Sequence, residues 1–166
     1  LGMVPEDLSS ITPAYEAFEI HKLSGGTRRI LAPEASFKAL QRRVLRRILG
    51  GLSAHDAAHG FERGRSIVTH ARHHVGKALV VRLDLRDFFP STAEKRVKRY
   101  FRLIGWNGKA ASILVSWCTW EWGLPQGAPT IPRLDNLFNS RLEARLAAYA
   151  LSRRGTYTRS ADDLTL

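Results

Sequence analysis

Three carboxylates stand out by type and place. Asp84 falls near the end of the apolar segment ALVVRLDL (78–85), and Asp162 and Asp163 sit side by side in YTRSADDLTL (157–166). A charge at the end of an apolar strand is costly unless it is paired, hydrogen-bonded or bound to metal. Asp is also common in turns. Each feature alone therefore reads first as a capped or salt-bridged aspartate, or as an ordinary turn pair. Together they say more, because a strand-end Asp and a hairpin-turn pair converge if their strands are neighbours in one sheet. Three converging carboxylates repel one another, and a hard divalent cation relieves that repulsion. Two such ions about 4 Å apart activate a 3′-hydroxyl and stabilise a leaving pyrophosphate. The chemistry so indicated is nucleotidyl transfer.

The composition agrees with a polyanionic partner. The chain has 166 residues, 44% of them apolar, enough for a core and about one domain. Its formal charge of +11 points to nucleic acid rather than a membrane. No apolar run approaches the roughly 18 residues of a spanning helix, and no signal peptide is visible. The single Cys118 cannot form an internal disulfide and reads as a small buried apolar residue. That favours a reducing, cytoplasmic setting. His21, His55, His59, His70, His73 and His74 lack the spacing of a structural zinc site and read as structural or surface residues. A first residue of Leu1 rather than Met suggests a piece of something longer.

The elements that must position these residues follow from pattern. YEAFEIHKL (15–23) and TRRILAP (27–33) flank Ser-Gly-Gly and predict a β-hairpin closed by Pro33. A helix is expected over 34–50, with Phe37, Leu40, Val44, Leu45, Ile48 and Leu49 inward. Its other face carries Lys38, Arg42, Arg43, Arg46 and Arg47 with almost no acidic residues between them, which suits phosphate contact as well as a solvated face. The glycine-punctuated AAHGFERGRSI (57–67) should lead into a helix near 66–75, and 78–85 should form a strand covered on both faces. Helices are expected over 92–102, 108–120 and 133–151, the last burying Leu134, Leu137, Phe138, Leu142, Leu146 and Tyr149. GLPQGAPTIP (123–132) must be a shaped loop, and TYTR and DLTL read as two short strands around Ser160-Ala161-Asp162.

Five segments in order carry a family resemblance: HKLSGGTRRILAP (21–33), GFERGRSIVTHA (60–71), VRLDLRDFFPS (81–91), LPQGAPTIP (124–132) and YTRSADDLTL (157–166). The sequence resembles bacterial reverse transcriptases of the retron and group II intron type, RNA-directed DNA polymerases. The resemblance implies an α+β right-hand polymerase with fingers and palm, an antiparallel palm sheet packed on helices, and no thumb. Fingers would occupy 1–78 and 105–128, and palm 79–104 and a truncated 129–166. Asp84, Asp162 and Asp163 would be the catalytic, metal-bearing residues, holding two Mg2+ ions or Mn2+ in their place. Phe89 would crowd a ribose 2′-hydroxyl and so favour deoxynucleotides. Gln126 would touch the incoming nucleotide, with Gly127 and Pro129 keeping the backbone close. Lys22 and Arg28 would grip the triphosphate, Arg28 rather than Arg29 being the match to Gly-Gly-x-Arg-x-Ile. The basic face with Arg42, Arg43, Arg46 and Arg47 would track template phosphates. Implied partners are an RNA template, a primer and dNTP, with retron-like wording pointing to a dedicated noncoding RNA.

This chain also departs from the family pattern. Ser160 stands where Tyr usually precedes Ala-Asp-Asp, Ile131 replaces a serine, and Asp135 replaces a small residue before Asn136. The helix N-terminus would partly stabilise Asp135. The family continues past the Asp pair, so the last strand here is expected to be an exposed edge. Two readings stand: a reverse transcriptase catalytic core, and a truncated, non-catalytic nucleic-acid-binding remnant of one.

Overall fold

The computed structural model describes residues 8, 10–22, 25–121 and 123–166. They form a mixed helix and strand structure with two antiparallel sheets and divide into two compact units, each built from two separate stretches of chain. No helix among the described residues is long and apolar enough to cross a membrane.

The first unit comprises 1–51 and 89–131. Strands β1 (Tyr15–His21) and β2 (Thr27–Pro33) form the expected hairpin, with Tyr15 opposite Pro33 and His21 opposite Thr27. Helix α1 (Ala35–Val44) buries Phe37, Leu40 and Val44, one helical face, and continues as a π-helical turn (Leu45–Leu49) up to Gly50. Leu49 is buried, whereas Leu45 and Ile48 are only half-buried. Helix α3 (Glu94–Leu103) is amphipathic around buried Val97 and Phe101, and α4 (Gly108–Cys118) starts at Asn107, whose Oδ1 accepts from Ala110 N at 2.9 Å. Helix α4 ends at Cys118, two residues before the sequence predicts. The Cys118 thiol is fully buried, and burial raises its pKa to about 12. Buried Gln41 ties this unit together, its Nε2 lying 2.8 Å from both the Tyr15 hydroxyl and the Trp117 carbonyl.

The second unit comprises 52–88 and 132–166. Helix α2 (Ile67–Arg72) opens with a reciprocal cap. Ser66 Oγ accepts from Thr69 N at 3.2 Å, and Thr69 Oγ1 accepts from Ser66 N at 2.8 Å. Strands β3 (Arg82–Asp84), β4 (Thr158–Ser160) and β5 (Asp163–Thr165) form an antiparallel sheet in the order β3-β5-β4. The last strand is therefore central, not the exposed edge expected. The outer side of β4 is bridged by the 57–60 loop, where Arg159 N donates to Ala57 O and His59 N to Arg159 O, both at 2.7 Å. The segment 78–85 also differs from expectation. Only Arg82–Asp84 is strand, and Leu79, Val80, Val81 and Leu83 are 41–76% exposed. Being an edge, β3 has one hydrogen-bonded neighbour, so an apolar run that pattern alone assigns to a covered strand lies open here.

The expected helix over 133–151 is two helices, α5 (Ile131–Phe138) and α6 (Ser140–Ser152), parted at Asn139. Asn139 Nδ2 donates to Asp135 Oδ1 at 2.8 Å, the local side-chain bonding through which Asn competes with a continuous helix. The buried stripe is also different. Leu134 and Leu137 are buried, Phe138, Leu142 and Leu146 half-buried, and Tyr149 is 57% exposed, while Asp135, Asn136, Asn139 and Glu143 are buried. The sheet rests on α6 through Leu164, Tyr157, Ala57 and Ala150, with Leu146 and Ala147 packed alongside.

Candidate active site

Sheet register decides which side chains meet. Asp84 is directly opposite Asp163, and Asp163 is directly opposite Ser160. Opposed residues share a face, and residues two apart along a strand share it too. One face therefore carries Arg82, Asp84, Asp163, Thr165 and Ser160, and the other carries Leu83, Leu164 and Arg159. Asp162 occupies the connecting turn, where Ala161 adopts a left-handed φ of 57°. The Asp162 carbonyl accepts from Leu85 N at 3.0 Å, tying the turn to the end of β3. The three aspartates thus come to one end of one sheet.

Their side chains do not form a closed ion cage. Both Asp163 oxygens are held by Arg82, at 2.8 Å from Nε and 2.7 Å from Nη2. This pair raises the Arg82 pKa through its hydrogen bond and charge, with Asp84 and Asp162 adding to it. Among the described residues no group of three or more His, Cys, Asp or Glu side chains is arranged to hold a metal ion. Carboxylate oxygens are the donors a hard cation prefers, but those of Asp163 are already engaged by Arg82.

The turn is braced from behind by a fully buried Arg159. Its Nε donates to Glu143 Oε1, its Nη1 to Asp135 Oδ2 at 2.8 Å and to the Ala161 carbonyl, and its Nη2 to Asn136 Oδ1 at 3.0 Å. The Phe88 ring lies 5.3 Å from the guanidinium carbon. Burial opposes the Arg159 charge, but Asp135 and Glu143 outweigh it and raise its pKa. This corrects the expectation for Asp135. It is stabilised by a buried counter-ion, not by a helix N-terminus. Gly60 explains its place in the GFERGRS stretch, because a Cβ there would stand 2.9 Å from Ala161 N and 3.0 Å from Ser160 Oγ. The Gly60 carbonyl also accepts from Asn136 Nδ2 at 2.7 Å.

At the far end of the carboxylate face, His74 Nε2 lies 2.6 Å from Thr158 Oγ1. Four histidines assemble there, His59, His70, His73 and His74, with ring centroids 4.9–5.9 Å apart. A cavity of about 430 Å³ is lined by His70, His74, Arg82, Asp163 and Ser160 among others, so Ser160 faces open space where the family has a tyrosine ring.

The four nucleotide-directed residues belong to the other unit. Lys22 and Arg28 are exposed on the hairpin, and the Lys22 carbonyl accepts from Gly25 N at 3.1 Å within its turn. Arg29, on the opposite strand face from Arg28, pairs with Glu121 at 2.9 and 3.4 Å. Gln126 is half-buried, and its carbonyl accepts from Leu31 N at 2.8 Å. Gly127, at φ 124°, lies so close to β2 that a Cβ would approach Leu31 O to 2.8 Å. Phe89 is half-buried. Arg42, Arg46 and Arg47 are exposed and Arg43 is half-buried.

Sequence reasoning missed Arg82, Arg159 and Glu143. The signal for Arg82 was its place two residues before Asp84, hence on the same strand face. For Arg159 it was a charge inside a β-prone segment, which demands a partner just as Asp84 does.

No protein-family model matches the chain. Among curated proteins it is 45% identical to the retron Ec86 reverse transcriptase of Escherichia coli over 84% of the chain. It is 41% identical to the retron Mx65 and Mx162 reverse transcriptases of Myxococcus xanthus, in each case over 91% of the chain. It spans 43%, 40% and 35% of the length of these three relatives. Matching these proteins at 41–45% identity over most of its length, the chain is supported as a reverse transcriptase of the retron type, of whose length it spans less than half.

Proposed function

We propose that this chain carries the catalytic centre of an RNA-directed DNA polymerase, extending a primer 3′-hydroxyl with dNTP on an RNA template. The observation that carries the reading is the register: Asp84 opposite Asp163, with Asp162 in the adjoining turn. The names of the relatives supply the reaction class. In this reading 1–78 and 105–128 serve as fingers, and 79–104 and 129–166 as palm.

Each residue has a role consistent with its surroundings. Asp84 and Asp162 would hold divalent cation, Mg2+ or Mn2+, with Asp163 joining when Arg82 lets go. Bound there, such cations would lower the pKa of the attacking hydroxyl and offset charge on the transferring phosphoryl group. The Arg159 network holds the turn, so that Asp162 is presented without rearrangement of its backbone. Lys22 and Arg28 are exposed and would suit contact with a triphosphate. Phe89 would exclude the 2′-hydroxyl, and Gln126, anchored through its carbonyl, would face the incoming nucleotide. RNA template and dNTP are the substrates of this reading, and a structured noncoding RNA the expected partner.

Primer extension on poly(rA)/oligo(dT) with Mg2+ or Mn2+ tests it. Incorporation that vanishes in Asp162→Asn and Asp84→Asn is the expected result. Phe89→Ala should raise ribonucleotide incorporation, and unchanged sugar selectivity would remove that assignment. A second reading, nucleic-acid binding without turnover, draws on the Arg82–Asp163 pair and on Ser160. RNA binding with no incorporation under either metal would establish it in place of the first.

A further inference from the structure

In the first unit a cavity of about 350 Å³ lies beside the π-helical turn and α4, walled by Arg47, Ile48, Trp106, Ile113, Leu114 and Trp117 among others. That volume falls at the small end of ligand pockets. Most of its wall is apolar, and no acidic side chain is among the described residues that line it. Trp106, 36% exposed, presents an indole at the surface. Two guanidinium groups attend it. Arg47 lines the cavity, and Arg102 donates from Nη1 to the Trp106 carbonyl at 3.2 Å. Trp117, 1% exposed, completes the apolar wall.

A slot with an aromatic wall, flanking cations and no carboxylate among its described lining residues suits an unpaired nucleotide. The base has a π-face to stack and a phosphate on either side. A chain with a formal charge of +11 concentrates such polyanions at its surface. We propose that this cavity seats one unpaired base of a single-stranded RNA. The base lies against Trp106 and has its flanking phosphates held by Arg47 and Arg102. The seat rests on the cavity lining; the choice of RNA over DNA rests on the RNA-templated reading above.

The test is binding, followed by fluorescence anisotropy with the Asp162→Asn chain, so that polymerase activity plays no part. A short labelled oligouridylate is compared with the same backbone carrying abasic sites, and with oligothymidylate. The abasic strand should bind more weakly by roughly fivefold or more, the scale of one lost base–aromatic stack. Trp106→Ala should show the same loss, and Trp106→Phe should recover most of it. Arg47→Gln should lower the slope of log affinity against log salt by about one, while Trp106→Ala leaves that slope unchanged. Equal affinity for intact and abasic strands, unchanged affinity in Trp106→Ala, or tighter binding of oligothymidylate would overturn the proposal. Failure of primer extension in the unsubstituted chain bears on the catalytic reading alone.

Discussion

At the residue scale, the centre is governed by two arginines on opposite faces of one sheet. Arg82 is 71% exposed at its side chain and holds the Asp163 carboxylate that the proposed reading assigns to a cation. Replacing it with Ala removes both the competitor and a positive charge, so Mn2+ binding measured by calorimetry should tighten several-fold. Weaker binding would show that Arg82 helps assemble the site. Arg159 is the opposite case, a buried cation between Asp135 and Glu143. Arg159→Met leaves two carboxylates buried without their counter-charge and should destabilise the chain by about 3–5 kcal/mol in denaturant unfolding. Asp135→Ala tests whether this chain's unusual residue is structural. It also breaks a buried pair, and a change within about 0.5 kcal/mol would show that Asn136, Glu143 and the Ala161 carbonyl suffice.

At the element scale, the hairpin carrying Asp162 is placed by its neighbours more than by its own strands, which are three residues each. The 57–60 loop flanks β4, and Gly60 approaches the turn closely enough to exclude a side chain. Gly60→Ala should therefore push the turn aside, lowering thermal stability and primer extension together, whereas Gly51→Ala, at a residue with nothing within 4 Å and no positive φ, should do neither. Periodicity made β1, β2, α1 and the terminal hairpin legible, because alternation and the helical repeat are local signals that burial reinforces. The same signal failed over 133–151. There Leu, Phe and Tyr suggested an apolar stripe, but the buried stripe is polar, satisfied by an arginine some twenty residues onward. No local pattern reports a partner that far along the chain. Segment 78–85 failed for a related reason, since cover on a strand is a property of what packs on it.

For the whole molecule, charge and histidine placement set the response to solution conditions. Burial, then Arg65, His73, His70 and His74, lower the His59 pKa to about 4, and burial likewise lowers those of His70 and His74. These rings resist protonation when folded but accept it when unfolded. Their contribution is full above about 6.5, the ordinary histidine value, and is lost as pH falls toward 4. The melting temperature should accordingly drop between pH 7 and pH 5, and replacing His59 with Gln should flatten that dependence; a melting temperature constant over this range would refute it. Sequence alone determined the motif order, the basic character and the identity of the three aspartates, because residue type and local spacing are sufficient for each. Tertiary structure decided that Asp84 faces Asp163, that Arg82 occupies the latter, that Arg159 braces the turn and that four histidines gather beside it. Those are encounters between segments distant in sequence, and strand register and burial, which no single segment encodes, determine them.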